Sequence, residues 1–80
     1  MEISYTDHAE RQIAERKIPK EIIEATLLEP DAVTEGRFGR KIAQKAIKDR
    51  LLRIVYSTEN GAYIVITTYY TRQERYRMKK

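Results

Sequence analysis

The chain has 80 residues, 41% of them hydrophobic and 35% charged, with Lys+Arg 16 against Asp+Glu 12 and no cysteine. A chain of this length buries only about 60% of its unfolded surface, so residues 1–80 are read as a single domain with one compact core. The formal charge of +4 favours a polyanionic partner, the lack of cysteine excludes disulfides and thiolate metal sites, and no apolar run approaches the ~20 residues of a membrane-spanning helix.

Lys/Glu-rich surfaces also mark heat-adapted proteins, so charge by itself does not select nucleic acid. The opening Met1-Glu2-Ile3-Ser4-Tyr5 lacks a basic-then-apolar signal, which points to a cytoplasmic protein. Thr6 and Asp7 suit an N-cap, and Asp7 with Glu10 three positions on resembles a capping box; a first helix is predicted over about 7 to 16. Pro19, preset for a first helical turn, opens a second helix with Ile22, Ile23, Thr26 and Leu27 on one face, and Pro30 closes it.

From about Val33 the period shifts toward two. A first strand is predicted over Val33 to Arg37, then a turn around Phe38 between Gly36 and Gly39. Arg40 to Ile47 is a candidate second strand with poor alternation: Ile42 and Ala46 share a face with Gln44, while Ala43 and Ile47 share the other with Lys41 and Lys45. The longest pair spans about 50 to 57 and 62 to 70, with Leu52, Ile54 and Tyr56 alternating with Arg53 and Val55, and Ile64, Ile66 and Thr68 alternating with Tyr63, Val65, Thr67 and Tyr69. Asn60-Gly61 is a turn signal, but the five residues Ser57 to Gly61 predict a connection longer than a tight two-residue turn. The expected fold class is α+β, with two N-terminal helices packed on one face of a three- or four-stranded antiparallel sheet.

Candidate functional groups cluster in the second half. Arg53 lies between Leu52 and Ile54 and so points away from the apolar face. A guanidinium on a strand loses little freedom when it grips phosphate, although an ordinary solvent-facing arginine fits the position equally. Val65, Thr67 and Tyr69 occupy alternate positions, and a register that brings them to the Arg53 face makes a patch of guanidinium, hydroxyl and phenol. The tail residues Arg72, Arg75, Tyr76, Arg77, Lys79 and Lys80 mix cations with an aromatic, which suits phosphate contact plus base stacking, or a solubilising terminus.

His8 is the single histidine, in the first turn of helix 1 with Arg11 and Glu15 at helical spacing. An imidazole there is a candidate general base for a ribose hydroxyl, with a structural role as the alternative. No second histidine and no cysteine accompany it, so neither a transition-metal site nor a cofactor is expected and phosphoryl chemistry is expected to be metal-free. Arg11, Lys41, Thr67, Tyr69, Arg72 and Arg77 complete the expected RNA contacts.

The stretch Thr6-Asp7-His8-Ala9-Glu10-Arg11, with Glu15 to Ile23 and Glu29-Pro30, is similar to an uncharacterised family of short prokaryotic proteins within the barnase, EndoU, colicin and RelE superfamily of small ribonuclease folds. Its members typically open with a His-Ala-x-x-Arg element. The stretch Leu52 to Tyr56, with Ile64-Val65-Ile66 and Arg72 to Tyr76, resembles the last strands and tail of RelE-type toxins. The resemblance implies cleavage of RNA, usually on the ribosome, by attack of the ribose 2′-hydroxyl on the adjacent phosphate. It also implies a small acidic antitoxin as partner. Carried over, Arg53 matches the strand arginine that contacts phosphate, Arg72 or Arg75 the following arginine, and Tyr76 the tail tyrosine. The expected catalytic set is therefore His8, Arg53, Arg75 and Tyr76. His8 departs from the pattern, since RelE-type toxins usually lack a catalytic histidine, and the first helix is shorter than theirs, which bears on the antitoxin-binding groove. The alternative is a non-catalytic basic module that binds RNA or protein through the same face.

Overall fold

The computed structural model describes residues 2–72. Its elements are β1 (Ile3–Tyr5), α1 (Asp7–Arg16), α2 (Lys20–Leu28), β2 (Ala32–Glu35), β3 (Lys41–Ile47), β4 (Arg50–Glu59) and β5 (Ala62–Arg72). The α+β class holds, with two helices on one face of the sheet, but the sheet has five strands in the order β1-β5-β4-β3-β2 and is mixed. β1 runs parallel to β5, pairing Ile3 with Tyr63 and Tyr5 with Val65, while the remaining neighbours are antiparallel. The expectation of three or four antiparallel strands is corrected at β1, whose three residues are too few to display a period.

Thr6 joins the helices to the sheet. It holds an extended backbone, and its hydroxyl accepts from the Ala9 N–H at 3.1 Å while donating to the Ile66 carbonyl at 2.9 Å. Thr6→Val is expected to lower stability by about 1–3 kcal/mol, the cap plus an orphaned carbonyl. Thr6→Ser should recover most of it. Denaturant midpoints at unchanged m-value measure both, and a valine variant as stable as wild type would show that this link contributes nothing.

At the other end of α1, Lys17 takes φ 54°, and the N–H groups of Lys17 and Ile18 both donate to the Ile13 carbonyl. This reversal satisfies the last turn and drops Ile18, 2% exposed, into the core. α2 begins just after Pro19 and ends before Pro30, and it buries Ile23, Thr26 and Leu27, the face that its spacing predicts. Ala9, Ile13, Ile18, Ile23 and Leu27 pack on Ala43, Leu52, Ile54, Tyr56 and Val65, so the sheet has a helix face and an opposite face.

β2 stops at Glu35, two residues earlier than predicted, because the chain turns over 36–40 with Phe38 at φ 59° and Gly39 at φ 74°. β3 forms despite its poor alternation, held between β2 and β4 with Ala43 buried on the helix face and Gln44 buried on the opposite one. β4 and β5 run longer than predicted. Asn60 and Gly61, at φ 52° and 80°, make the turn alone, and Glu59 already pairs with Ala62. Two successive positive φ values match the twist of the flanking strands, which corrects the expectation of a longer connection.

The β4–β5 register carries a bulge. Val55 faces Thr67 but Tyr56 faces Val65, leaving Ile66 as the extra residue. Val65 therefore turns to the helix face and is 0% exposed, whereas Thr67 and Tyr69 stay on the opposite face. Strict alternation through residues 63 to 69 predicted all three on one face, and the bulge overturns that for Val65.

Candidate functional site

Arg53 projects from the middle of β4 on the face away from the helices, since its neighbours Leu52 and Ile54 are fully buried on the helix face. Register sets Tyr69 of β5 directly beside it on one side and Gln44 of β3 on the other. One Arg53 Nη donates to the Tyr69 hydroxyl at 2.9 Å, and the guanidinium carbon lies 5.9 Å from that ring's centroid. On the far side of the sheet the buried Thr68 hydroxyl donates to the Arg53 carbonyl at 3.1 Å, which fixes the backbone beneath the guanidinium. Thr67, two residues before Tyr69, shares this face. The half-buried cation thus sits in a set direction beside a phenol that, while accepting, keeps its own O–H to donate. Such a pair suits an anion with several oxygens. It stabilises charge and does not abstract protons, because a guanidinium stays protonated.

A second basic group lies on the helix face, where β4 begins and β5 ends. Arg50, three residues before Arg53, stands over Tyr70 with its guanidinium carbon 5.5 Å from the ring centroid, and Arg72 is its partner across the ladder. Around them opens a cleft of about 490 Å³, lined by Arg16, Lys17, Pro19 and Ile22 from the helix hairpin and by Ile47, Lys48, Asp49, Arg50 and Tyr70 from the sheet. An adjoining hollow adds Thr71 and Arg72. Cations rim an aromatic and aliphatic floor. Sequence reasoning named only Arg72 here, because the cleft is assembled by two turns thirty residues apart: Lys17 at φ 54° and Lys48 at φ 58°. One signal was present. Taking Asn60-Gly61 as a two-residue turn brings Arg50 close to Arg72, and facing like charges in a ladder is a cost that ordinary strands avoid.

The other expected site residues are scattered. His8 is exposed in the first turn of α1, next to the buried Ala9, so the sheet stands between it and Arg53. Arg11 is exposed on α1. Lys41 lies on the helix face of β3, paired across the ladder with Glu35 at 4.0 Å, and takes no part in the Arg53 face. Arg75, Tyr76 and Arg77 fall outside the described residues. The expected single constellation of His8 with Arg53 is therefore corrected: the two belong to different layers.

Two core tyrosines have phenols pushed above the ordinary value of 10.0. Burial raises Tyr5 first, then the carboxylates of Glu24 and Glu10; burial raises Tyr56 first, then Tyr63 and Glu35. Both therefore stay neutral near pH 7. Their contribution to stability is present below the ordinary tyrosine pKa and is lost as pH rises through the raised values. Among the described residues, no three His, Cys, Asp or Glu side chains are grouped to hold a metal, and no helix is long and apolar enough to cross a membrane.

A family model described as a domain of unknown function, DUF4258, matches residues 5–70. The chain belongs to this family. The DUF4258 match begins at the last residue of β1 and ends at Tyr70, so it takes in both helices, the bulge, Arg53 and Tyr69. No curated protein and no solved structure matches the chain.

Proposed function

We propose that this chain is a metal-free endoribonuclease of the RelE-like toxin type, acting in the cytoplasm and held in check by a small acidic antitoxin. The observation that carries the reading is the Arg53 guanidinium, aimed by a 2.9 Å hydrogen bond to Tyr69 on the face of the sheet free of helices. The formal charge of +4 and the resemblance of β4, β5 and the following residues to RelE-type toxins support it.

In the proposed reaction the ribose 2′-oxygen bonds to the adjacent phosphorus and the bond from phosphorus to the 5′-oxygen breaks. The products are a 2′,3′-cyclic phosphate and a 5′-hydroxyl. Charge grows on the non-bridging oxygens at the five-coordinate stage, and a guanidinium already in place neutralises it without reorganisation. Tyr69 donates to the same oxygens. The proton from the 2′-hydroxyl must reach a base and another must reach the leaving oxygen; the resemblance gives both tasks to Tyr76, whose hydroxyl passes its own proton to the leaving oxygen as it takes the one from the 2′-hydroxyl, since His8 lies on the other layer. A non-catalytic RNA-binding module of the same fold is the second reading, and the separation of His8 from Arg53 favours it.

Two measurements test the proposal. Binding to single-stranded RNA should weaken with salt at a log–log slope of about 2 to 4, from roughly 0.7 per phosphate contact. Incubation with RNA in EDTA, free or on ribosomes, should yield cyclic-phosphate ends, and His8→Ala should cut nearly as fast as wild type. A His8→Ala loss of about 10² to 10⁴ would restore the histidine as general base. Salt-dependent binding without cleavage, together with expression that leaves growth unaffected, would select the binding module, and absence of binding at low salt would remove RNA altogether.

A further inference from the structure

We propose that the turn Arg37-Phe38-Gly39-Arg40 between β2 and β3 is a stacking finger for an unpaired nucleobase. Phe38 is 88% exposed, the most exposed of the large hydrophobic side chains described, and it is absent from the core cluster. Its backbone sits at φ 59°, a region where a bulky side chain is strained and a glycine is not. A phenylalanine here costs the fold something and packs nothing in return, so folding does not account for it.

The turn is also closed by its own backbone. The Gly36 N–H donates to the Arg40 carbonyl at 2.8 Å, and the Arg40 N–H to the Arg37 carbonyl at 3.1 Å. Closure is tight enough that a Cβ on Gly36 would lie 3.3 Å from the Arg40 oxygen. The backbone that carries the ring is therefore already folded before any partner arrives, which reduces the ordering cost of binding. Exposed Arg37 and Arg40 flank it.

One ring between two guanidiniums matches a base and the phosphates on either side of it. It does not match a protein hot spot, which needs surrounding groups that exclude water, whereas Phe38 has only exposed Arg37, Gly39 and Arg40 beside it in the turn. The finger lies beyond the Lys41 end of β3, four residues from the Arg40 end of the turn to Gln44 beside Arg53. At about 3.3 Å per residue that is roughly 13 Å. A single strand gripped at Arg53 thus has a second point of attachment along the sheet, and unpaired bases are selected over duplex.

The inference rests on the RNA reading, and the experiment separates the two. Wild type, Phe38→Gly and Phe38→Trp are titrated with a labelled mixed-sequence single-stranded RNA and with the corresponding duplex. Phe38→Gly should weaken single-strand binding about 5- to 150-fold, the range for one stacked base, while its thermal midpoint stays level or rises. Phe38→Trp should retain affinity, and its indole, the only one in a chain without tryptophan, should be quenched by the single strand and not by the duplex. If wild type and Phe38→Gly bind the single strand equally well, the finger is refuted and the RNA reading stands. If wild type binds no RNA at low salt, both fall. A clear drop in thermal midpoint for Phe38→Gly, or a loss confined to binding of phosphatidylserine vesicles, overturns the finger in favour of a packing or lipid role.

Discussion

In the proposed reaction, Arg53→Ala is expected to slow RNA cleavage by about 10² to 10³, the effect of removing one pre-positioned donor from charge that develops in the transition state. Nothing else described on that face repeats the arrangement of a guanidinium tied to a facing phenol. Arg53→Lys retains the charge but not the planar fork, and a compact ammonium does not sit against Tyr69 as the guanidinium does, so it should recover only part of the rate. Tyr69→Phe removes the hydroxyl that aims the cation and should fall between wild type and Arg53→Ala. Single-turnover rates at saturating protein isolate the chemical step, and circular dichroism checks that each variant is folded. An Arg53→Ala protein that is folded and cuts at the wild-type rate would move the site elsewhere, with the cleft at Arg50 and Tyr70 as the next place to test.

Ile54→Ala should be among the most damaging single changes to the fold, at about 2–5 kcal/mol. Ile54 is 0% exposed at the centre of β4, and its ladder partners are Ala43 and Thr68, both buried. Neither small neighbour can move in to fill the space, so the upper part of the range is expected. A domain of this length has a total stability of roughly 4–12 kcal/mol, and such a loss removes a large share of it. Val55→Ala, half-buried on the opposite face, is the matched control. Urea midpoints should separate the two clearly; similar losses would mean that the opposite face, where Leu51 is also buried, contributes as much to stability as the helix face.

Much of the fold was legible because its punctuation is local. The cap at Thr6, the prolines that flank α2 and the glycines around Phe38 each act within a few residues, and they place both helices within a residue or so of where they lie. β1 was not legible, since three residues carry no period and its pairing is decided by residues sixty positions away. The bulge at Ile66 was hidden for a similar reason. Alternation read from one strand assumes an unbroken ladder, and here the count slips so that Val65, not Ile66, fills the core. Parity puts Arg53 and Tyr69 on one face, and they share it because the slip falls on the far side of both. His8 joins them on chemistry alone, although helices packed on the apolar face and an Arg53 that points away from it already imply separate layers.

The parallel pairing of β1 with β5 has a consequence for the order in which the molecule is made. Ile3 to Tyr5 leave the ribosome before any other described element, yet the only described strand beside them is β5, the last of the described elements to emerge. The hydroxyl of Thr6 likewise waits for the Ile66 carbonyl. Nascent α1 and α2 can form turns, but their seat is incomplete until Val65 has been added. Tyr69 arrives four residues after that, so Arg53 is aimed only once synthesis of the sheet is nearly finished. Truncated chains that stop before β5 are thus without both a closed fold and an oriented cation. Any activity that depends on that cation starts with the complete sheet and not before it.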